Sequence, residues 1–135
     1  MAGKEHQFIL GLVIKQMRLF GCEITHVDGT YRGKQNESVP LPPRVVHHRP
    51  DAMGITALGQ VCFGDAKTEG DIRSRRTKEQ LLDFLTMELN GLPCAVFLGV
   101  PSRAKENAVK LLREMGLLDH SHLRLIFVPE EIINA

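Results

Sequence analysis

Seven consecutive residues, CAVFLGV at Cys94–Val100, carry no polar side chain. Successive side chains of a strand point to opposite faces, so a strand with one wet face alternates apolar and polar residues. A run without alternation reads as a strand covered on both faces, as in α/β sheets. A second apolar run, LRLIFV, follows at Leu123–Val128. Between them lies a helical stretch capped by Ser102 and ended by Gly116. Ala104, Ala108, Leu111, Leu112 and Met115 form its inward side. Strand, helix and strand in this order point to helices packed on a sheet.

The earlier part of the chain supplies the other elements. Residues 4–20 read as a helix with an apolar stripe of Phe8, Ile9, Leu12 and Val13, ended by Gly21. A short strand over 22–27 runs into an Asp28-Gly29 turn signal. Residues 29–44, GTYRGKQNESVPLPPR, are rich in Gly, Pro, Asn and Ser and read as a long exposed loop. Two strands are expected over 45–56 and 60–68, joined by a tight turn at Ala57-Leu58-Gly59. Pro50 cannot donate to a central ladder, so it should bend the first of them or lie at an edge. A helix over 77–89 opens with a Thr77–Gln80 capping-box pair and is ended by Asn90-Gly91 and Pro93. The order αβββαβαβ implies an α/β fold with a mixed sheet and helices on both faces, in one domain spanning residues 1–135.

The net charge of +1 means that a polyanionic partner would have to be met by a local cluster of basic residues. Three isolated cysteines, Cys22, Cys62 and Cys94, sit among apolar neighbours and read as buried thiols of a reducing compartment. The N-terminal apolar run is broken by Lys15 and Gln16, with no cleavage signature after it, which argues against a signal peptide. No run approaches a membrane span. The expectation is a cytoplasmic protein with no membrane partner.

The chemistry gathers in HHRPDAMGITALGQVCFGDAKTEG, His47–Gly70. Alternation places Asp65 and Lys67 on one face of a strand, roughly 7 Å apart. Asp51, from the neighbouring strand, can reach the same place. Two carboxylates together inside a protein are unfavourable unless a cation sits between them. Hard oxygen ligands suit Mg²⁺, often completed by a phosphate, with Mn²⁺ able to substitute. A lysine beside such an ion can position or deprotonate a water.

Pro50-Asp51, a spacer and Asp65-Ala66-Lys67 resemble the signature of the PD-(D/E)xK nuclease superfamily. That superfamily includes restriction enzymes, Holliday junction resolvases and RecB-type nuclease domains. The resemblance covers roughly residues 5–100 and extends to the order of elements. It implies a restriction endonuclease-like three-layer core and Mg²⁺-dependent hydrolysis of DNA to a 5′-phosphate and a 3′-hydroxyl. It also implies roles. Asp51, Asp65 and the Ala66 carbonyl would hold the metal, Lys67 would be catalytic, and Glu5 would match an acidic residue on the first helix. Gln80 matches the start of a Gln-x-x-x-Tyr element, but Phe84 stands where the tyrosine would be. One site cuts one strand, so the implied partners are DNA and either a second copy of the chain or a larger DNA-processing complex. With no separate recognition domain, the activity would be structure- or end-directed.

Each of these residues also has a plainer reading. Asp51 can be a turn residue, Asp65 and Lys67 a surface ion pair, Glu5 a glutamate favoured by the helix dipole, and Gln80 a capping residue. Arg73, Arg75, Arg76 and Lys78 precede a helix, a place suited to phosphate, or form a solvated loop. Arg32 and Lys34, with Tyr31, are weaker candidates for nucleic-acid contact. His47 and His48 should point to opposite faces. The rival function is a non-catalytic nucleic-acid-binding or assembly module that keeps a nuclease fold.

Overall fold

The computed structural model describes residues 3–29 and 39–133. Helix α1 (Lys4–Phe20) buries Ile9, Leu10, Val13, Ile14 and Met17. It ends at Gly21, whose φ of 110° is open to glycine and strained for other residues. The Gly21 and Cys22 N–H groups then satisfy the Arg18 and Met17 carbonyls. Strands β1 (Glu23–Val27), β2 (Ala52–Ile55) and β3 (Val61–Ala66) follow. Next come helix α2 (Arg75–Leu85), a two-residue pair β4 (Glu88–Leu89) and β5 (Leu92–Pro93), and strand β6 (Ala95–Pro101). Helix α3 (Lys105–Glu114), strand β7 (Leu123–Val128) and the short helix α4 (Glu130–Ile133) complete the described chain.

Five strands form one mixed sheet in the order β1-β2-β3-β6-β7. The β1–β2 and β2–β3 pairs are antiparallel, while β3–β6 and β6–β7 are parallel. Every residue of β3 and β6 is buried, as the unbroken apolar run of β6 predicts. Alternation along β3 and β6 divides the core in two. Phe63, Val96 and Leu98 join α2 and α3 on one face. Cys62, Ala66, Ala95 and Phe97 join α1 on the other. The fold is therefore α/β with helices on both faces. Cys22, Cys62 and Cys94 are all buried free thiols. Among the described residues no helix is long and apolar enough to cross a membrane.

Several boundaries differ from those predicted, each for a local reason. α2 starts at Arg75 because Ser74 is its cap, accepting the Thr77 N–H at 3.1 Å. The Thr77 hydroxyl instead donates to the Asp71 carbonyl, so Thr77 and Gln80 do not form a capping box. Asn90 and Gly91, with φ of 58° and 74°, make the turn of the β4–β5 hairpin rather than a helix end. Ser102 begins a single 3₁₀ turn, Ser102–Ala104, and makes no capping bond. The expected strand over 45–56 shrinks to Ala52–Ile55. Before it, Val45 and His48 close on each other through two backbone hydrogen bonds of 2.7 and 3.2 Å, forming a tight turn ahead of Pro50. Residues 30–38, most of the expected long loop including Tyr31, Arg32 and Lys34, lie outside the described residues.

Two glycines let α1 lie close to the sheet. A Cβ on Gly99 of β6 would stand 2.4 Å from Val13 Cγ2 and 2.8 Å from Ile9 Cγ2. One on Gly64 of β3 would stand 2.7 Å from the Met17 sulfur. Gly99→Ala should therefore overpack this interface and cost about 1–3 kcal/mol in urea unfolding. The same substitution should cost less in a Val13→Ala background, where the clash is relieved.

Candidate active site

The carboxyl end of β3 brings the predicted chemistry together. Asp65 is almost wholly buried, and its Oδ2 lies 3.1 Å from Lys67 Nζ. Lys67 stays on the same face because its N–H donates to the Gly99 carbonyl at 2.9 Å, extending the β3–β6 ladder by one residue. Asp51 precedes β2, whose register sets Ala52 against Gly64. Its Oδ2 accepts the Ala66 N–H at 2.9 Å, which locks the carboxylate beside Asp65. His6 Nε2, from the first turns of α1, donates to the same Oδ2 at 3.1 Å.

His6 is a site residue that the sequence reading missed, and Glu5 takes a different place. Both Glu5 oxygens accept from Arg103, at 2.7 and 2.8 Å, in a cluster with Glu69 and Glu130. The reason is helix phase. At about 100° per residue, the expected stripe of Phe8, Ile9, Leu12 and Val13 centres on Glu5. The stripe that is buried most deeply is Ile9, Leu10, Val13, Ile14 and Met17, which centres on His6. Leu10, Ile14 and Met17 were the signal that could have identified it.

A cleft of about 450 Å³ opens over these groups. His6, Asp51, Asp65 and Lys67 line one side of it, and Arg76 and Gln80 reach it from α2. Arg44 and Arg49, which the sequence reading did not single out, line it as well, along with His47 and His48. The two histidines are not strand neighbours facing opposite ways. They belong to the tight turn, where His48 Nδ1 lies 2.7 Å from Asp83 Oδ2 on α2. The rest of the basic cluster is dispersed. Arg73 pairs with Glu114 at 3.3 Å, and Arg75 and Lys78 are not among the cleft residues. Phe84 packs against Phe63 in the core, so this position has no polar role.

The electrostatics reflect two carboxylates sharing one space. Burial, and after it the Asp51 charge, push Asp65 up to about 8, against the pull of Lys67. Burial also opposes ionisation of Asp51. The His6 hydrogen bond and charge nevertheless hold it below the usual 3.8, helped by hydrogen bonds to Asp65 and the Ala66 N–H. The bond to Asp51 raises His6 above 6.5 despite burial. The two carboxylates thus disfavour being ionised together, and a divalent cation between them would relieve their repulsion.

The donor set fits such a cation in chemistry. Asp51 and Asp65 supply hard oxygens, and Gln80 Oε1 is buried with no partner. His6 has its Nδ1 buried without a partner too. Among the described residues no three His, Cys, Asp or Glu side chains converge as a ready-made metal cage. Two carboxylates completed by a backbone carbonyl and substrate oxygens would not form one. Comparison with family models, curated proteins and solved structures finds no match.

The pKa shifts give a signed expectation for the ion-free protein. Asp65 is raised, so its contribution to stability is complete below about pH 4 and is lost as pH rises towards 8. His6 is raised as well, and its contribution is lost as pH climbs above 6.5. Asp51 has the opposite sign but acts only at the acid end, below 3.8. In chelator, the melting temperature should fall from about pH 4 to about pH 8. Asp65→Asn, with no proton to lose, should flatten that fall in a differential scanning fluorimetry series.

Proposed function

We propose that this chain is a metal-dependent endonuclease with a restriction endonuclease-like fold, hydrolysing phosphodiester bonds of DNA. The observation that carries this reading is buried Asp65 beside half-buried Asp51, with Lys67 on the same strand face, in a cleft that three arginines also line. Sites in open α/β sheets lie at the carboxyl ends of strands, and this one lies at the end of β3. Mixed sheet, helices on both faces and the element order support the fold assignment.

Asp51 and Asp65 would hold Mg²⁺ or Mn²⁺, with the Ala66 carbonyl as a further ligand, and His6, in the place expected for Glu5, would steady Asp51 through its hydrogen bond. The ion, when bound, supplies a water of lowered pKa and neutralises charge on the attacked phosphate. The chain's own groups do the rest. The Ala66 N–H keeps Asp51 in one rotamer, so the carboxylate is positioned before substrate arrives. Asp65 holds the Lys67 ammonium at 3.1 Å, aimed along the strand face. From there Lys67 orients the attacking water and stabilises negative charge building on the phosphate oxygens. By the family resemblance, in-line attack leaves a 5′-phosphate and a 3′-hydroxyl.

The test is cleavage of plasmid, linear duplex, single strands, branched junctions and structured RNA with Mn²⁺ or Mg²⁺. Wild type should cut, and Lys67→Ala should lower the rate by about 10²–10⁴-fold. Mn²⁺ at a hundred times its Kd should raise stability by about 2.7 kcal/mol, on the order of 10 °C in melting temperature. Asp65→Asn should remove that shift. Neither cutting nor metal stabilisation in folded wild type would leave the non-catalytic binding module as the better reading.

A further inference from the structure

We propose that the Arg44–Arg49 turn, together with Arg76 on α2, is a phosphate clamp that guides a single nucleic-acid strand past the carboxylates. This assignment rests on the nuclease reading and names the substrate class of that site.

Three observations carry it. Arg44, Arg49 and Arg76 line the same cleft as Asp51, Asp65 and Lys67. Among the described residues none of the three meets a carboxylate, and Arg44 has only the His47 carbonyl, at 3.3 Å. Arg73 is engaged with Glu114, Arg103 with three glutamates and Arg124 against the Phe20 ring, while Arg18, Arg75 and Arg113, which also meet no carboxylate among the described residues, lie outside the cleft. Uncompensated guanidinium groups facing a cleft make a site for an anion with planar, bidentate oxygens, which a phosphodiester offers.

The turn that carries two of them is tied to α2. Val46, a β-branched residue, sits at φ 60°, a left-handed conformation that persists only where its surroundings enforce it. Two contacts to α2 do so. His48 Nδ1 lies 2.7 Å from Asp83 Oδ2, and the His47 N–H donates to the same oxygen at 3.3 Å. Arg44 and Arg49 therefore flank a hook anchored to the helix that bears Arg76.

The cleft also selects the form of the strand. At about 450 Å³ it encloses a group the size of a small ligand. The Asp65 and Lys67 side chains are only 5% and 12% exposed. A phosphate must enter this recess to meet them. The backbone of an intact duplex is held by pairing and stacking, whereas a single strand or a frayed end can bend inward.

The experiment is fluorescence anisotropy of a labelled single-stranded oligodeoxynucleotide and of a blunt hairpin duplex, each across a salt series. It uses full-length Lys67→Ala protein, so that cutting does not interfere. Adding Arg44→Ala and Arg49→Ala should weaken single-strand binding at least tenfold. It should also reduce the slope of log affinity against log salt by about 1.4, about 0.7 for each lost phosphate contact. Arg44→Lys with Arg49→Lys keeps the charge and should restore the slope. Arg113→Ala, on the separate surface of α3, should change neither quantity. An unchanged slope in the double alanine variant, or a blunt duplex bound as tightly as the single strand, would overturn the clamp. The two readings fail separately. Loss of slope with no cutting by wild type leaves the clamp and removes the nuclease, and cutting with an unchanged slope does the reverse.

Discussion

The close seating of α1 on the sheet governs the rest of the molecule. It depends on two absent side chains, at Gly64 of β3 and Gly99 of β6, where Val13, Ile9 and Met17 fill the space a Cβ would occupy. With the helix in that trough, its first turns fall at the carboxyl ends of the parallel pair β3–β6. His6 then reaches Asp51, and Glu5 reaches Arg103 just beyond β6. The same contact buries half of the core. Apolar packing thus sets the geometry of the polar site. That is the economical order, because packing is dense and rigid and can hold a charge cluster that would not hold itself together.

The site is a compensated frustration. Asp51 and Asp65 oppose each other's ionisation at the cleft floor, and the protein answers with the His6 ring beside one and Lys67 beside the other. A purely structural core has no use for such an arrangement, since an apolar set of similar volume would be at least as stable. The unpartnered Gln80 oxygen and the uncompensated arginines of the same cleft are of one kind with it.

Much of the architecture was legible in the residues. The apolar run of β6 announced a doubly covered strand, and β7, β1, α1 and the α/β class followed from period and punctuation. Alternation correctly put Asp65 and Lys67 together, because β3 is regular up to its last residue. The misses have particular causes. Ser74 outcompeted Thr77 as a cap. Asn90-Gly91 looked like a helix end and is a hairpin turn, since both residues suit positive φ in either setting. The segment before Pro50 looked like a strand and is a turn held by Asp83, a partner 35 residues away from His48.

By itself, then, the sequence determined the layers, the order of the main strands and helices though not the β4–β5 hairpin or α4, and which strand would present the acid–lysine pair. Those features depend on local periodicity and on neighbours in the chain. Tertiary packing decided that His6 rather than Glu5 faces Asp51, a choice the sequence left between two overlapping apolar stripes. Two adjacent residues on a helix differ by about 100°, and only the packing of Leu10, Ile14 and Met17 chose between them. It likewise decided which arginines would be neutralised and which would face the cleft. Pairing depends on carboxylates distant in the chain, such as Glu114 for Arg73, and no spacing rule encodes those distances.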